Sequence, residues 1–524
     1  MKKLIYIFIT LLAIGLLGSC KKFVDVNTNP NAPTVVDAST LLPPIQAGMA
    51  RGIWFDSRYI GQYAQIWGSN VANNVWDEHG YLPGTDSGGE MWRTIYFSLG
   101  QNITLMVQDA TDHSKPDYIA VSWALRAWGW QYGLELYNNM IVQEAYDPTK
   151  LTFDYDTPDY VNAEVVKDCR LALQYFAQAK ADGQTISPVL AKGDYMYYGN
   201  RDQWIKFVYS IMAQNALNLT NKASFSADSV KKYVDLSFTS NADNASVQCT
   251  GSSSTDANFW GPTRGNLAGF RQSDYIVKLL DGRILAGSAT QDLTADPRLP
   301  LLLMVSKDGA YRGVIPPLGD PNSADPNTLI PAFVGATTAN SGTASAKYLF
   351  NDNARGVFMT YPVLQFMAAE AMYKKGDLQT AYNYYRSGVA AALDFASNPP
   401  IGNALVGSQK YISAAAQTAY LNGLSVRQSS STLKLSDILQ QKFIAMFLWN
   451  PIEAWSDERR YHYDATVFQG YNKPGTLYPD NAGKLVYRMR PRYNSEYIWN
   501  IPALKAIGAL DPDYHTKEPW FIQP

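Results

Sequence analysis

Four histidines, His79, His113, His462 and His515, are all that the 524-residue chain offers for imidazole chemistry. None falls in a helical zinc-protease spacing, and no paired-cysteine zinc motif exists. No phosphate-binding glycine loop, dinucleotide fingerprint or Gly-x-Ser-x-Gly elbow occurs. Glycosidases need only two carboxylates, but the acids here form no pair that stands out from solvated helix faces. The sequence therefore reads as a non-catalytic protein without metal or cofactor. Its best polar cluster is Asp77-Glu78-His79. That cluster either ligates a cation or hydrogen-bonds a ligand, or is a solvated loop tip. Trp76 precedes it and Tyr81 follows, ahead of a Pro/Gly/Ser loop over 82–89. Aromatic faces beside polar side chains on loops build shallow ligand sites. The chain carries 35 Tyr, 13 Trp and 20 Phe. Most of these must be core, yet Tyr and Trp also favour interfaces and ligand surfaces, which suits a binder of sugars or peptides.

The elements that must position such residues are helices. Apolar residues recur at helical spacing over 55–68 (Tyr59, Tyr63, Ile66, Trp67), 90–110, 117–136, 160–181 and 202–219. The pattern stops over 237–267, where Ser, Thr, Asn and Gly dominate. Long irregular stretches of this kind are often functional. Loops and turns are also expected over 308–356 and from 464 onward. One segment, 361–393, reads as helix, Gly376-Asp377 turn, helix. Its Ala381, Tyr385 and Gly388 resemble the tetratricopeptide pattern, in which small residues let two helices pack closely around an aromatic. Residues 117–138 with 160–181, and 202–219, are candidate degenerate units. The fold class is thus mostly α, a tetratricopeptide-like scaffold carrying long irregular loops, and such a stack favours a protein partner.

Charge excludes one class of partner. The chain has 44 basic and 46 acidic residues, a net charge of −2, without the clustered basic excess of a nucleic-acid binder. Its length exceeds the ~250–300 residues at which single cores stop growing, so lobes or one elongated domain are expected. The amino terminus adds an address. Met1-Lys2-Lys3 is followed by an uncharged apolar run over 4–17 and then by Leu17-Gly18-Ser19-Cys20. The run is shorter than the ~20 residues needed to span a bilayer and fits a secretory signal peptide over 1–19. A cysteine directly after small residues resembles the bacterial lipobox, which would lipidate Cys20; the alternative is an ordinary signal peptide with an incidental cysteine. Residues 20–35, rich in Asn and Pro, read as a flexible leash, and 36–524 as a single domain. Cys169 and Cys249 either pair in an oxidising compartment or remain free thiols.

The motifs together resemble those of the SusD/RagB nutrient-binding outer-membrane lipoproteins of the Bacteroidetes, over nearly the whole mature chain. Residues 23–33 resemble that family's opening. Tyr63 to Trp67 and the helix over 92–102 fit its first helical pair. Tyr132-Gly133 to Tyr146 resembles a family motif, though an Asp and a Pro-Tyr-Ser are missing. Gly193-Asp194 with Trp204 to Phe207 fits another. Phe270 to Ser273 with Asp296-Pro297-Arg298-Leu299 is a further pair. The most specific piece is Gln441 to Phe447 with Glu453 to Arg460. The tail from Arg492 to Asn500 fits the family ending without its usual Tyr-Pro. From the residues themselves, Trp455, Arg459 and Arg460 read as a packed tryptophan with arginines satisfying carbonyls or carboxylates.

The resemblance implies a helical lid on a SusC-like TonB-dependent transporter, lipid-anchored in the outer membrane and exposed at the cell surface. It implies capture of an oligosaccharide without bond cleavage; a peptide ligand, a surface hydrolase and a purely structural transporter partner are the alternatives. It places the ligand face over 70–81 and 258–271. Trp76, Tyr81, Phe259 and Trp260 are then candidate platforms, and Asn73, Asn74, Glu78, Arg264 and Arg271 candidate polar partners. Trp54, Trp67 and Trp92 read as core.

Overall fold

The structure, a computed structural model, describes residues 36–82, 84–332, 350–397, 412–447 and 449–524. The expected signal peptide, Cys20 and the leash to residue 35 lie outside them. The first helix, α1 (Ala38–Tyr63), opens with the Asp37 carboxylate accepting from the Ser39 amide at 2.8 Å. This is an N-cap, and it satisfies a donor that the helix cannot. The helical reading over 55–68 needs correction at both ends. Pro43 and Pro44 lie inside α1 and each removes one intrahelical donor, but Leu42, Ile45, Met49 and Ile53 are buried on the same helix. That burial outweighs the lost bonds. At the other end Gln65 takes a left-handed φ of 51°, which turns the chain into β1 (Trp67–Ser69).

The helical stretch expected over 90–110 is one continuous unit: α2 (Glu90–Arg93), a π-helical segment (Thr94–Gln101) and α3 (Asn102–Asp112). Buried Asp56 of α1 caps α2, accepting from the amides of Met91 (2.7 Å) and Glu90 (3.2 Å). The π segment approaches α1 closely at Gly48, where a Cβ would lie 2.9 Å from that of Ser98.

Three helical hairpins follow and stack in order. They are α4 (Pro116–Tyr137) with α5 (Pro158–Ala179), α6 (Arg201–Asn218) with α7 (Ala227–Leu236), and, after the loop region, α10 (Tyr361–Lys375) with α11 (Leu378–Ser397). α5 packs on α6 and α7 on α10. The candidate unit 202–219 thus finds its partner in α7, a short helix the sequence reading left out. The 361–393 signature is a hairpin in fact. Gly376 turns it at φ 88°, and buried Tyr385 meets Phe366 edge-on at 6.4 Å. Of the irregular regions, 237–267 holds only a 3-10 turn and β2 (Ala245–Val247). Beyond it come β3 (Phe270–Gln272), α8 (Asp274–Leu280), α9 (Leu299–Leu302) and β4 (Gly356–Met359). β1 pairs antiparallel with β3 and β2 with β4. The carboxy-terminal third adds α12 (Ala414–Leu421), α13 (Leu435–Met446) against α10, and α14 (Pro451–Arg460) against α1. Two short helices, α15 (Tyr493–Trp499) and α16 (Ile501–Ala506), interrupt the tail that was expected to be irregular. One buried apolar core runs from Ala38 to Met489. Among the described residues no helix is long and apolar enough to cross a membrane.

Where α14 meets α10 the core is ionic. Arg460 clamps Glu370 with two bonds of 2.6 and 3.0 Å, and Lys442 contacts Glu453 and Asp457. Arg459 lies 3.7 Å over the Trp455 ring and donates to the carbonyls of Glu135 and Tyr487. The structural role read for Trp455, Arg459 and Arg460 is therefore the one they play.

Candidate carbohydrate-binding groove

A groove of about 500 Å³ runs along the first half of α1. Its floor is Pro43, Pro44, Ala47, Ala50, Arg51 and Trp54. One wall is the chain leaving β2, from Val247 to Thr250, with Thr255 to Ala257, Phe259 and Arg264. Ser98 of the π segment and Tyr195 complete the lining.

Each wall has a mechanical cause. Buried Asp194 gathers five donors: Gln46 Nε2 (2.8 Å), the amides of Met196, Tyr197 and Gly199, and Trp204 Nε1 (2.8 Å). Gln46 in turn accepts from the Tyr195 amide at 2.9 Å. This fixes Tyr195 beside α1 while its own ring stays 55% exposed. On the opposite wall Trp260 donates from Nε1 to the Trp54 carbonyl at 3.0 Å and packs edge-on against Trp67. Phe259, next in the chain, tilts against Phe55 at 5.7 Å. The 250–256 loop closes on itself, because Asp256 accepts from Thr250, Ser252 and Ser253. The Thr250 and Ser252 hydroxyls, before the other bonds, hold its carboxyl well below the usual range. Cys249 lines the groove as a free thiol. Burial pushes its pKa to about 12, so it stays protonated and is a poor nucleophile.

Arginines ring the aromatic surface. The Arg58 Cζ stands 4.2 Å from the Phe55 centroid, 5.2 Å from Tyr59 and 5.1 Å from Phe259. Arg264 reaches the same Phe259 ring at 5.2 Å. Such contacts are worth ~0.5–2 kcal/mol each and hold planar cations against apolar surface.

Of the residues anticipated from sequence, Phe259 and Arg264 come together in this groove. Others do not, and all four candidate platforms need correction. Trp76 is 3% exposed and sits among Tyr59 (4.6 Å), Tyr63 (5.5 Å) and Tyr81 (5.1 Å). Tyr81 is buried, with its hydroxyl on the Ser87 carbonyl. Trp260 is 1% exposed. Phe259, although it lines the groove, is only 5% exposed, so none of the four rings lies open to a sugar. The Asp77-Glu78-His79 cluster is neither a loop tip nor a cation site. Asp77 is buried, accepting from Gln62 and the Ser69 amide, and burial raises its carboxyl to about 6. His79 bonds Tyr471, and burial holds it neutral with a pKa near 3. Glu78 between them is half-buried. Asn74 accepts from Gln62 and the Trp76 amide, which makes it a turn residue. Asn73 is exposed in a left-handed turn and its amide bonds the Pro317 carbonyl. Arg271 pairs with Gly68 in the β1–β3 ladder and donates to the carbonyls of Ala268 and Phe270, so it shapes a loop. Among the described residues no group of His, Cys, Asp and Glu could hold a metal. Trp54, read as core, is 8% exposed and also lines the groove; the sequence reading missed Tyr195. Tyr195 did carry a signal, since it directly follows the Asp194 hub.

Residues 30–489 match the SusD-like_2 family, described as "Starch-binding associating with outer membrane". The chain belongs to the SusD-like family. Its fold is shared with a SusD homologue from Bacteroides fragilis NCTC 9343 (17% identity, TM-score 0.69, covering 93% of this chain and 100% of that one). A SusD/RagB family protein from Bacteroides thetaiotaomicron VPI-5482 is 19% identical, with a TM-score of 0.67 and coverage of 93% and 99%. A chitin-binding SusD homologue from Flavobacterium johnsoniae is 17% identical, with a TM-score of 0.66 and coverage of 93% and 98%. No curated protein matches the chain. In this SusD-like chain the family-resembling motifs are joints of the fold. Trp204 bonds Asp194 within one motif. Arg298 of the Asp-Pro-Arg-Leu stretch bonds Asp296 (2.7 Å) and reaches Gln441 (3.0 Å), tying two distant motifs together.

Proposed function

We propose that this SusD-like protein is a cell-surface lipoprotein of the outer membrane that captures an oligosaccharide and passes it to a SusC-like TonB-dependent transporter. The observation that carries the binding half is the α1 groove, where Trp54, Phe259 and Tyr195 stand among Arg51, Ser98, Gln248 and Thr250. Pyranose C–H faces stack on the exposed Tyr195 while hydroxyls pair with the polar groups, and no covalent step is needed. Family membership supports the outer-membrane setting. Lipid on Cys20 supplies the anchor: each buried methylene contributes ~0.8 kcal/mol, and two or more chains hold durably.

Calorimetric titration of the lipid-free protein with a panel of soluble oligosaccharides tests this reading, with reducing ends assayed in parallel. At least one glycan binds, and Tyr195→Ala weakens it about tenfold, or 1.4 kcal/mol, at an unchanged melting temperature, since Tyr195 is exposed. The reading fails if no glycan binds, if the variant binds as well as wild type, or if new reducing ends appear.

A further inference from the structure

We infer that the groove is built for acetylated glycans, seating acetyl methyls on its helical floor and acetyl carbonyls against Arg51 and Arg264. The inference rests on the glycan-binding reading above and adds the substituent that the ligand carries.

The floor is apolar. Pro43, Pro44, Ala47, Gly48 and Ala50 line the groove along ~10 Å of α1, and none carries a polar side-chain atom. Pro44 and Ala47 are exposed there. A sugar hydroxyl laid on this stretch gives up water and finds no partner, which costs affinity. A methyl laid on it gains by leaving water. Most of the polar lining is committed to the protein itself. Gln46 donates to Asp194 (2.8 Å) and accepts from the Tyr195 amide (2.9 Å). Gln248 donates to the carbonyls of Cys249 (2.9 Å) and Asn353, and accepts from Arg355 (3.4 Å). Asp256, the one carboxylate of the lining among the described residues, takes four bonds from Thr250, Ser252 and Ser253. That fills the lone pairs of a carboxylate. The side chains with donors to spare are two guanidinium groups, each with five N–H bonds. Arg51 uses Nε on Glu90 (2.7 Å), and Arg264 uses Nη1 on the Ser254 carbonyl (2.7 Å). Both line the same groove as the apolar floor. The lining thus offers apolar surface and donors, with few side-chain acceptors left. A hydroxyl needs an acceptor for its own proton. An acetyl group does not: its methyl is apolar and its carbonyl oxygen only accepts.

The test titrates the lipid-free protein with two pairs of ligands. Chitopentaose and cellopentaose differ in the acetamido group, and an O-acetylated xylopentaose is compared before and after alkaline deacetylation. One seated methyl is worth about fourfold in affinity. Two or more therefore give the acetylated member of at least one pair an advantage of about tenfold or greater. A gain in both pairs assigns the acetyl group itself, and a gain in one assigns the amide or the ester. Ala47→Asn places a polar group on the floor at an exposed helical position, where the melting temperature is expected to hold. It cuts the advantage to below about threefold while the unacetylated ligand binds as before. Should the variant lose stability, the wild-type comparison decides alone. Equal or weaker binding of the acetylated member in both pairs overturns the acetyl inference and leaves the glycan-binding reading standing. So does a stable Ala47→Asn variant that keeps the full advantage. Absence of binding by all four ligands overturns both.

Discussion

Replacing Arg460 with methionine isolates the ionic joint that holds α14 to α10. In the wild type Arg460 is fully buried and donates to Glu370 (2.6 and 3.0 Å), Asp457 (2.5 Å) and Thr220 (2.8 Å). Arg460→Met leaves Glu370 buried with the Tyr461 hydroxyl (2.7 Å) as its remaining partner. Breaking a buried pair on one side costs about 3–5 kcal/mol, because a charge is left uncompensated. The pH dependence gives a second, signed readout. Although burial raises it, Arg460 holds the Glu370 carboxyl below its ordinary 4.5 in the folded wild type. That contribution is present above the ordinary value and is lost as pH falls through the folded one. Without Arg460, burial dominates and Glu370 protonates more readily than in the unfolded chain. The variant therefore recovers stability relative to wild type as pH falls from neutral toward about 5. Urea unfolding followed by tryptophan fluorescence at the two pH values reads both effects. Converting both partners, as in Glu370→Met with Arg460→Met, restores most of the loss, since an apolar pair of similar volume is often neutral. A single-variant cost below ~1 kcal/mol, or a gap that does not narrow in acid, refutes this account of the joint.

Two further outcomes follow from burial. Trp76→Ala lowers stability by about 3–5 kcal/mol, the range for emptying a large core site, while the folded fraction keeps its glycan affinity in a titration. Weakened binding at unchanged stability would instead make Trp76 a platform. Asp56, with its carboxyl raised by burial from 3.8 to about 7, contributes stability in acid that is lost as pH rises through about 7. Melting temperatures from pH 5 to 8 therefore fall less steeply in Asp56→Asn than in wild type, and an equal slope would refute the assignment.

The helical scaffold was legible because its signals are local. Gly376 with Ala381, Tyr385 and Gly388 specifies one hairpin, and apolar periodicity places α4, α5 and α6 within a few residues. The groove was less legible because α1, its floor, carries Pro43-Pro44 where a helix interior disfavours proline, and only non-local burial keeps the helix intact. The aromatic candidates failed for a related reason. Trp76 and Tyr81 on a Pro/Gly/Ser-flanked loop look the same in sequence whether they face in or out. Tyr59 and Tyr63 from α1, with His515 from the far end of the chain, turn them inward. Phe259 and Arg264 are legible only through their region, and Trp54 is core as expected while also lining the groove.

Relatives at 17–19% identity keep this fold over 93% of the chain, so few residues can be specifying it. The buried polar hubs are the natural ones. Asp194 with Gln46, Arg298 with Gln441, and Arg460 with Glu370 each join segments far apart in sequence. Each leaves a costly unpaired group if any other arrangement is adopted. A hub of this kind fixes backbone direction while leaving adjacent side chains free. Tyr195 beside Asp194 is the clearest example: its amide is bound and its ring is open. Phe259 and Trp260 show the contrasting case, since both are buried. The indole is committed to the Trp54 carbonyl inside the core, and the neighbouring phenyl backs the groove wall beneath Arg264 and Phe55. On the proposed function, ligand preference would reside at open positions beside the hubs, such as Tyr195, where substitutions retune the groove without loosening the scaffold.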